Sequence, residues 1–224
     1  MEYMLTILII INLIINISAF AVFELKKPAI WEFLPLVVIC AAASLGRAVF
    51  SLIPQIQPVT ALVIITGSAY GSLYGYITGS LSALISNMML GQGPWTLFQM
   101  TAWGIIGFIA GILGHLFKEK PEKSNILISI NDFCKPYRTA KKEKGLAELA
   151  AFSLYGFLSA IIFSIITDSL TVSYLGEALT LSSAAAVFAT GILFNISHGI
   201  FNAVLIMLLY MPVKQNLLRH RRVI

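Results

Sequence analysis

The chain has 224 residues, 58% of them hydrophobic and only 11% charged, at a mean hydropathy of +0.88. That balance excludes an ordinary soluble domain and reads as an integral membrane protein. The net charge of +5 would point to nucleic acid only if the basic side chains formed a face on a soluble fold, and they fall between apolar runs instead.

A bilayer core takes about 20 apolar residues per helix. Runs of that kind cover residues 3–23, 34–50, 93–117, 146–167 and 183–211, with one longer stretch over 58–90. A single helix over 58–90 would be about 50 Å long, so this stretch is expected to cross twice, reversing near 75–79. The basic residues support that division. Lys26 and Lys27 follow the first run, Lys118, Lys120, Lys123, Lys135, Arg138, Lys141, Lys142 and Lys144 fill the loop after the fifth crossing, and Lys214, Arg219, Arg221 and Arg222 close the chain. Two crossings over 58–90 place all three clusters on the cytoplasmic side, as short Lys/Arg-rich loops require. The expectation is an all-α integral membrane protein with seven spans, N-terminus outside and C-terminus in the cytoplasm.

The first run has an alternative reading as a cleaved signal peptide, since Ala19-Phe20-Ala21 resembles a cleavage site. Against it, the segment before the apolar run carries Glu2 and no Lys or Arg. Cys40 lies in an apolar run and Cys134 in the basic loop, neither near a second Cys or a His at ligand spacing, which argues against structural zinc or redox chemistry.

Three short segments face outward on this topology, at 51–58, 91–94 and 170–181. Around the first stand Arg47, Phe50, Pro54, Gln55, Gln57 and Pro58; the prolines favour a rigid excursion, and a cation at the membrane edge calls for a partner or a ligand. The second collects Asn87, Gln92, Trp95 and Gln99, amides that can orient a polar ligand beside aromatics that cover its apolar surface. An interfacial belt would account for Trp95 alone. On the last span Asn195, His198 and Asn202 share one helical face, a polar stripe in an apolar helix that must find partners away from water. Small residues recur at Gly67, Gly71, Gly75, Gly79 and Ala83, and on the second span at Ala42 and Gly46 and at Cys40 and Ser44. That spacing lets helices approach closely and offers a smooth face to another protein.

No phosphate-binding G-x-x-x-x-G-K-[ST] loop, H-E-x-x-H or G-x-S-x-G occurs in the chain, and the carboxylates Glu148 and Asp168 sit near span ends. An outward polar pocket without an ATP site or an ion relay argues against a self-sufficient transporter. A membrane-embedded enzyme acting on a lipid through Arg47, Asn195 and His198 is an alternative, weakened by the lack of a paired acid or nucleophile. A purely structural protein is another, with little use for the outer amides.

The run Gly46-Arg47-Ala48-Val49-Phe50, then Ile53-Pro54-Gln55 and Pro58-Val59-Thr60-Ala61, the glycine series, Ser86-Asn87, Gly91-Gln92-Gly93-Pro94-Trp95-Thr96 and Phe98-Gln99-Met100 resembles the substrate-binding S component of energy-coupling factor (ECF) vitamin transporters. The Asn195, His198 and Asn202 stripe resembles that family's last helix. The resemblance implies a six-helix core over 33–213 with the cytoplasmic basic loop 118–145, an extra N-terminal helix over 1–24 and a basic cytoplasmic tail over 214–224. It implies a multi-pass subunit of a bacterial cell membrane that is not an enzyme. No cofactor is held permanently, and ATP is used by the partners: a transmembrane coupling subunit and two cytoplasmic ABC ATPases. Phe50 to Gln57 would gate the pocket, and Ala41, Ala42 and Gly46 would meet the coupling subunit. The likeness within the family is to the cobalamin-type subgroup. Outer amides and aromatics suit a corrinoid, and few outward cations speak against a polyanionic vitamin. Pantothenate, riboflavin or a queuosine precursor would fit the same residue types.

Overall fold

The structure, a computed structural model, describes residues 2–117 and 137–222. Its helices are α1 (Glu2–Leu25), α2 (Ile30–Val49), α3 (Val59–Tyr70), α4 (Ser72–Leu90), α5 (Trp95–Leu116), α6 (Tyr137–Ser173), α7 (Leu181–Thr190) and α8 (Ile192–Arg222), with one 3-10 turn at Gly176–Ala178. Among the described residues, five stretches are long and apolar enough to cross a membrane: Tyr3–Leu25, Glu32–Val49, Trp95–Leu116, Gly145–Ser173 and Leu181–Leu218. With α3 and α4 they make the expected all-α membrane architecture. Most of the basic loop expected over 118–145, with Cys134, lies outside the described residues.

Side chains at one end of the bundle show which way each rod runs. Phe23 meets Tyr74 edge to face at 5.5 Å, and the Tyr74 hydroxyl donates to Glu32 at 2.5 Å. Tyr70 donates to the Leu217 carbonyl at 2.9 Å, while Lys214 and Tyr210 both reach Glu148. The C-terminal ends of α1, α3 and α8 therefore lie with the N-terminal parts of α2, α4 and α6. This end also carries Lys26, Lys27 and Lys214, so the positive-inside bias makes it the cytoplasmic one.

The stretch over 58–90 is two helices, but the reversal falls at Gly71 and not at 75–79. Gly71 has φ +107 and ψ 176, a conformation that side chains with a Cβ rarely adopt, and it alone separates α3 from α4. Gly75 and Gly79 serve close approach instead. A Cβ on Gly75 would stand 2.2 Å from the Gly107 carbonyl oxygen, and one on Gly79 would stand 2.3 Å from that of Trp103. Since Gly75 opposes Gly107 while Ser72 opposes Gly111, α4 runs antiparallel to α5. The α3 helix, with Gly67 on Gly107 and Ser68 on Gly114, runs parallel to α5. Gly67, Gly75 and Gly79 thus serve close packing inside this chain. Cys40 and Ser44 do likewise, reaching the Thr78 and Ser82 carbonyls of α4.

All 12 residues of α3 are buried. At 1.5 Å per residue α3 is about 18 Å long, well short of a bilayer core, which leaves room above it for the 51–58 segment. Across from this group α6 and α8 form a long pair. The last rod departs from the expected 183–211 helix in two ways: it is interrupted at Gly191, and it continues through Pro212 to Arg222. The α7 helix starts from a capping box in which Thr180 and Ser183 satisfy each other's backbone N–H groups.

Candidate ligand-binding site

Arg47 lies on the last turn of α2, 9% exposed, where a cation calls for hydrogen-bond partners. Its Nε donates to Gln57 Oε1 at 3.0 Å, one terminal nitrogen to Ser86 Oγ at 2.7 Å and Asn87 Oδ1 at 2.6 Å, and the other to Gln99 Oε1 at 3.1 Å. The guanidinium also stands over the Trp103 ring, 4.9 Å from its centroid. Those hydrogen-bond acceptors are all neutral, so the cage holds a positive charge by hydrogen bonds without cancelling it. The amides brace one another: Asn87 Nδ2 donates to Thr96 Oγ1 at 3.0 Å and to Gln99 Oε1 at 2.8 Å. The cage thus joins the outer ends of α2, α4 and α5 to the segment that precedes α3.

A second, aromatic layer lies against the cage. Trp103 Nε1 donates to Thr60 Oγ1 at 3.0 Å, and the same hydroxyl oxygen lies 3.1 Å from His198 Nε2. Phe163 packs on Trp103 at 4.7 Å and edge-on to His198 at 5.5 Å, so α3, α5, α6 and α8 all contribute. His198 and Asn202 are fully buried, yet His198 Nδ1 and Asn202 Oδ1 have no hydrogen-bond partner; Gln55 Oε1, on a residue with φ +62, is likewise buried and unpaired. A buried polar atom left unpaired costs about 1–3 kcal/mol, and such atoms mark where a polar ligand or water is accommodated.

The structure brings Arg47, Gln57, Asn87 and Gln99 into one cluster and links it to His198 through Trp103 and Thr60. Phe50, 38% exposed, reaches across to Phe201 of α8 at 6.5 Å between ring centroids. Gln92 belongs to the α4–α5 turn, bonded to the Leu84 carbonyl and Thr96. Trp95 is 46% exposed, packs over Gly93 and stays outside the cage. Asn195 pairs with Ser164 of α6 at 2.8 Å, and Ser164 donates in turn to Asp168. Asn202 reaches the Gly156 carbonyl at 3.4 Å. Of the three small residues on α2, Ala41 and Ala42 are exposed, whereas a Cβ on Gly46 would meet Pro58 at 2.4 Å.

Sequence reasoning passed over Thr60, Ser86, Thr96 and Trp103 as site members. Ser and Thr in apolar helices commonly satisfy themselves on their own backbone, as Thr66 and Thr78 do here, so residue type gave no signal. Trp103 could have been found, because a Trp far from either interface needs a partner for its N–H.

The family model described as ECF-type riboflavin transporter, S component, matches residues 34–215. It spans the cage, the aromatic layer and the α8 stripe, and leaves α1 outside. The matched family is of the riboflavin type and not the cobalamin type that the sequence motifs suggested. No curated protein and no solved structure matches the chain.

Proposed function

We propose that this chain, which belongs to the family of ECF-type riboflavin transporter S components, binds riboflavin or a close flavin from the outside. It then delivers the ligand through an ATP-driven coupling module in a bacterial cell membrane. The observation that carries the reading is the Arg47 cage with Trp103 beneath it, inside the matched segment. An isoalloxazine is a flat three-ring system with an apolar edge and a pyrimidine edge of carbonyls, ring nitrogens and one N–H. Guanidinium and amide groups answer the polar edge, and Trp103, Phe163 and Phe50 answer the plane. The unpaired atoms of His198 and Asn202 suit hydroxyls of a ribityl chain. The cage side chains bond one another here, so any ligand must open some of those bonds, and a corrinoid, far wider than a three-ring flavin, would open more of them.

The chain holds no P-loop, which is in keeping with a subunit that binds while partner ATPases drive the cycle. Ala41 and Ala42, exposed on α2, remain our choice for the face that meets the coupling subunit. The test is titration of the purified full-length chain with riboflavin, cyanocobalamin and pantothenate. Saturable one-to-one binding of riboflavin, with loss of flavin fluorescence, is expected. Preference for either comparator would overturn the flavin assignment, and no binding of any of the three would overturn the vitamin-subunit reading for the isolated chain.

A further inference from the structure

The α1 helix is outside the matched family segment, and its membrane-spanning stretch is only 11% buried. Among its described residues, Asn12, Asn16 and Phe23 are the buried ones, a single narrow stripe. Lipid chains are as apolar as the remainder of α1, so hydrophobicity alone does little to hold the helix in place.

Asn16 is hydrogen-bonded to capacity. Its Oδ1 accepts from Ser80 Oγ at 2.7 Å and from Tyr76 OH at 3.1 Å, both on α4. Its Nδ2 donates to Thr101 Oγ1 of α5 at 2.9 Å and to its own helix at Asn12 O, 2.8 Å. Two donors and two lone pairs exhaust a side-chain amide. The Thr101 hydroxyl spends its proton on Leu97 O at 3.1 Å, so Asn16 is the donor in their bond. One side chain from α1 therefore bridges α4 and α5. Thr101 stands between Gln99 and Trp103 in sequence, and Ser80 lies under two turns inward of Ser86 and Asn87.

We infer that α1 braces the ligand site from behind, and that Asn16 is a positioning residue: by pinning Ser80 of α4 to Thr101 of α5 it sets the spacing at which Asn87 and Gln99 close around Arg47. The flavin part of this inference rests on the proposed function; the clamp itself does not. Without Asn16, the Ser80 and Tyr76 hydroxyls lose their acceptor and Thr101 loses a donor, and the α4–α5 pair is free to adjust its register to satisfy them.

The experiment uses the full-length chain in nanodiscs and compares wild type with Asn16→Leu, Ser80→Ala and Asn12→Leu. Asn12 is equally placed on the stripe, but its amide nitrogen bonds only its own helix, at Leu8 O. The first readout is amide hydrogen exchange without ligand. Asn16→Leu should speed exchange over 80–103, Ser80→Ala should do so to a smaller degree, and Asn12→Leu should match wild type. The second is riboflavin affinity, expected to weaken about 3- to 30-fold in Asn16→Leu, the range for a membrane-buried polar contact, and to hold in Asn12→Leu. Ser80→Ala, a small deletion, decides the matter if leucine at 16 prevents folding. Unchanged exchange in both Asn16→Leu and Ser80→Ala would overturn the clamp. So would equal effects of Asn12→Leu and Asn16→Leu, because α1 would then be mere packing. If wild type binds no flavin but the exchange pattern appears, the clamp stands and the flavin reading falls.

Discussion

A guanidinium in the apolar interior is held here by acceptors spread over α4, α5 and the segment before α3. Only a planar fork with donors pointing several ways can reach them all, and a lysine ammonium, a single point, cannot. Arg47→Lys should therefore keep the fold and the charge yet weaken ligand binding about 10- to 100-fold, the loss of one or two charge-assisted hydrogen bonds, measurable by titration. Thr60 tests the layer beneath. Thr60→Val would strand the Trp103 N–H and His198 Nε2 together and should cost about 2 kcal/mol in thermal or denaturant unfolding, whereas Thr60→Ser should behave as wild type. Arg47, Asn87, Gln99 and His198 were legible in the sequence because each is a polar residue in an apolar run that demands an explanation. The residues that connect them were not, since a threonine or serine in a helix carries no mark of whether it serves its own backbone or a neighbour.

At the scale of the helices, run length and charge bias located the rods, and α1, α2 and α5 lie close to where the apolar runs placed them. The errors came from glycine. A four-residue repeat of small residues has one signature for two physical uses, a φ that needs no Cβ and a helix crossing that has no room for one, and only the three-dimensional pairing separates Gly71 from Gly75. A comparison of substitutions exposes the difference. Gly75→Ala drives a methyl into the Gly107 carbonyl and should lose about 1–3 kcal/mol, seen as a lower melting temperature. In Gly145→Ala the nearest atom is the flexible end of Met211, 3.4 Å away, so helix propensity should leave stability equal or raised by up to about 1 kcal/mol. At the cytoplasmic end, Tyr70→Phe frees the Leu217 carbonyl and should cost about 1 kcal/mol in the same assay.

The molecule as a whole is a membrane subunit whose family-matched segment, 34–215, carries the Arg47 cage, and whose α1 lies outside that segment. Transport class was legible in the sequence through the motifs from Gly46 to Met100, which resemble ECF S components, and the family match agrees with that class. The ligand within that class was not. Amides and aromatics near the outer surface suit many vitamins, and it is the family match over 34–215 that is of the riboflavin type. The most direct measurement is a parallel riboflavin titration of wild type and Arg47→Met, with flavin fluorescence as the signal. The account predicts saturable one-to-one binding by the wild type and a loss of at least about 10-fold in the folded variant. Equal affinity of the two proteins would contradict it.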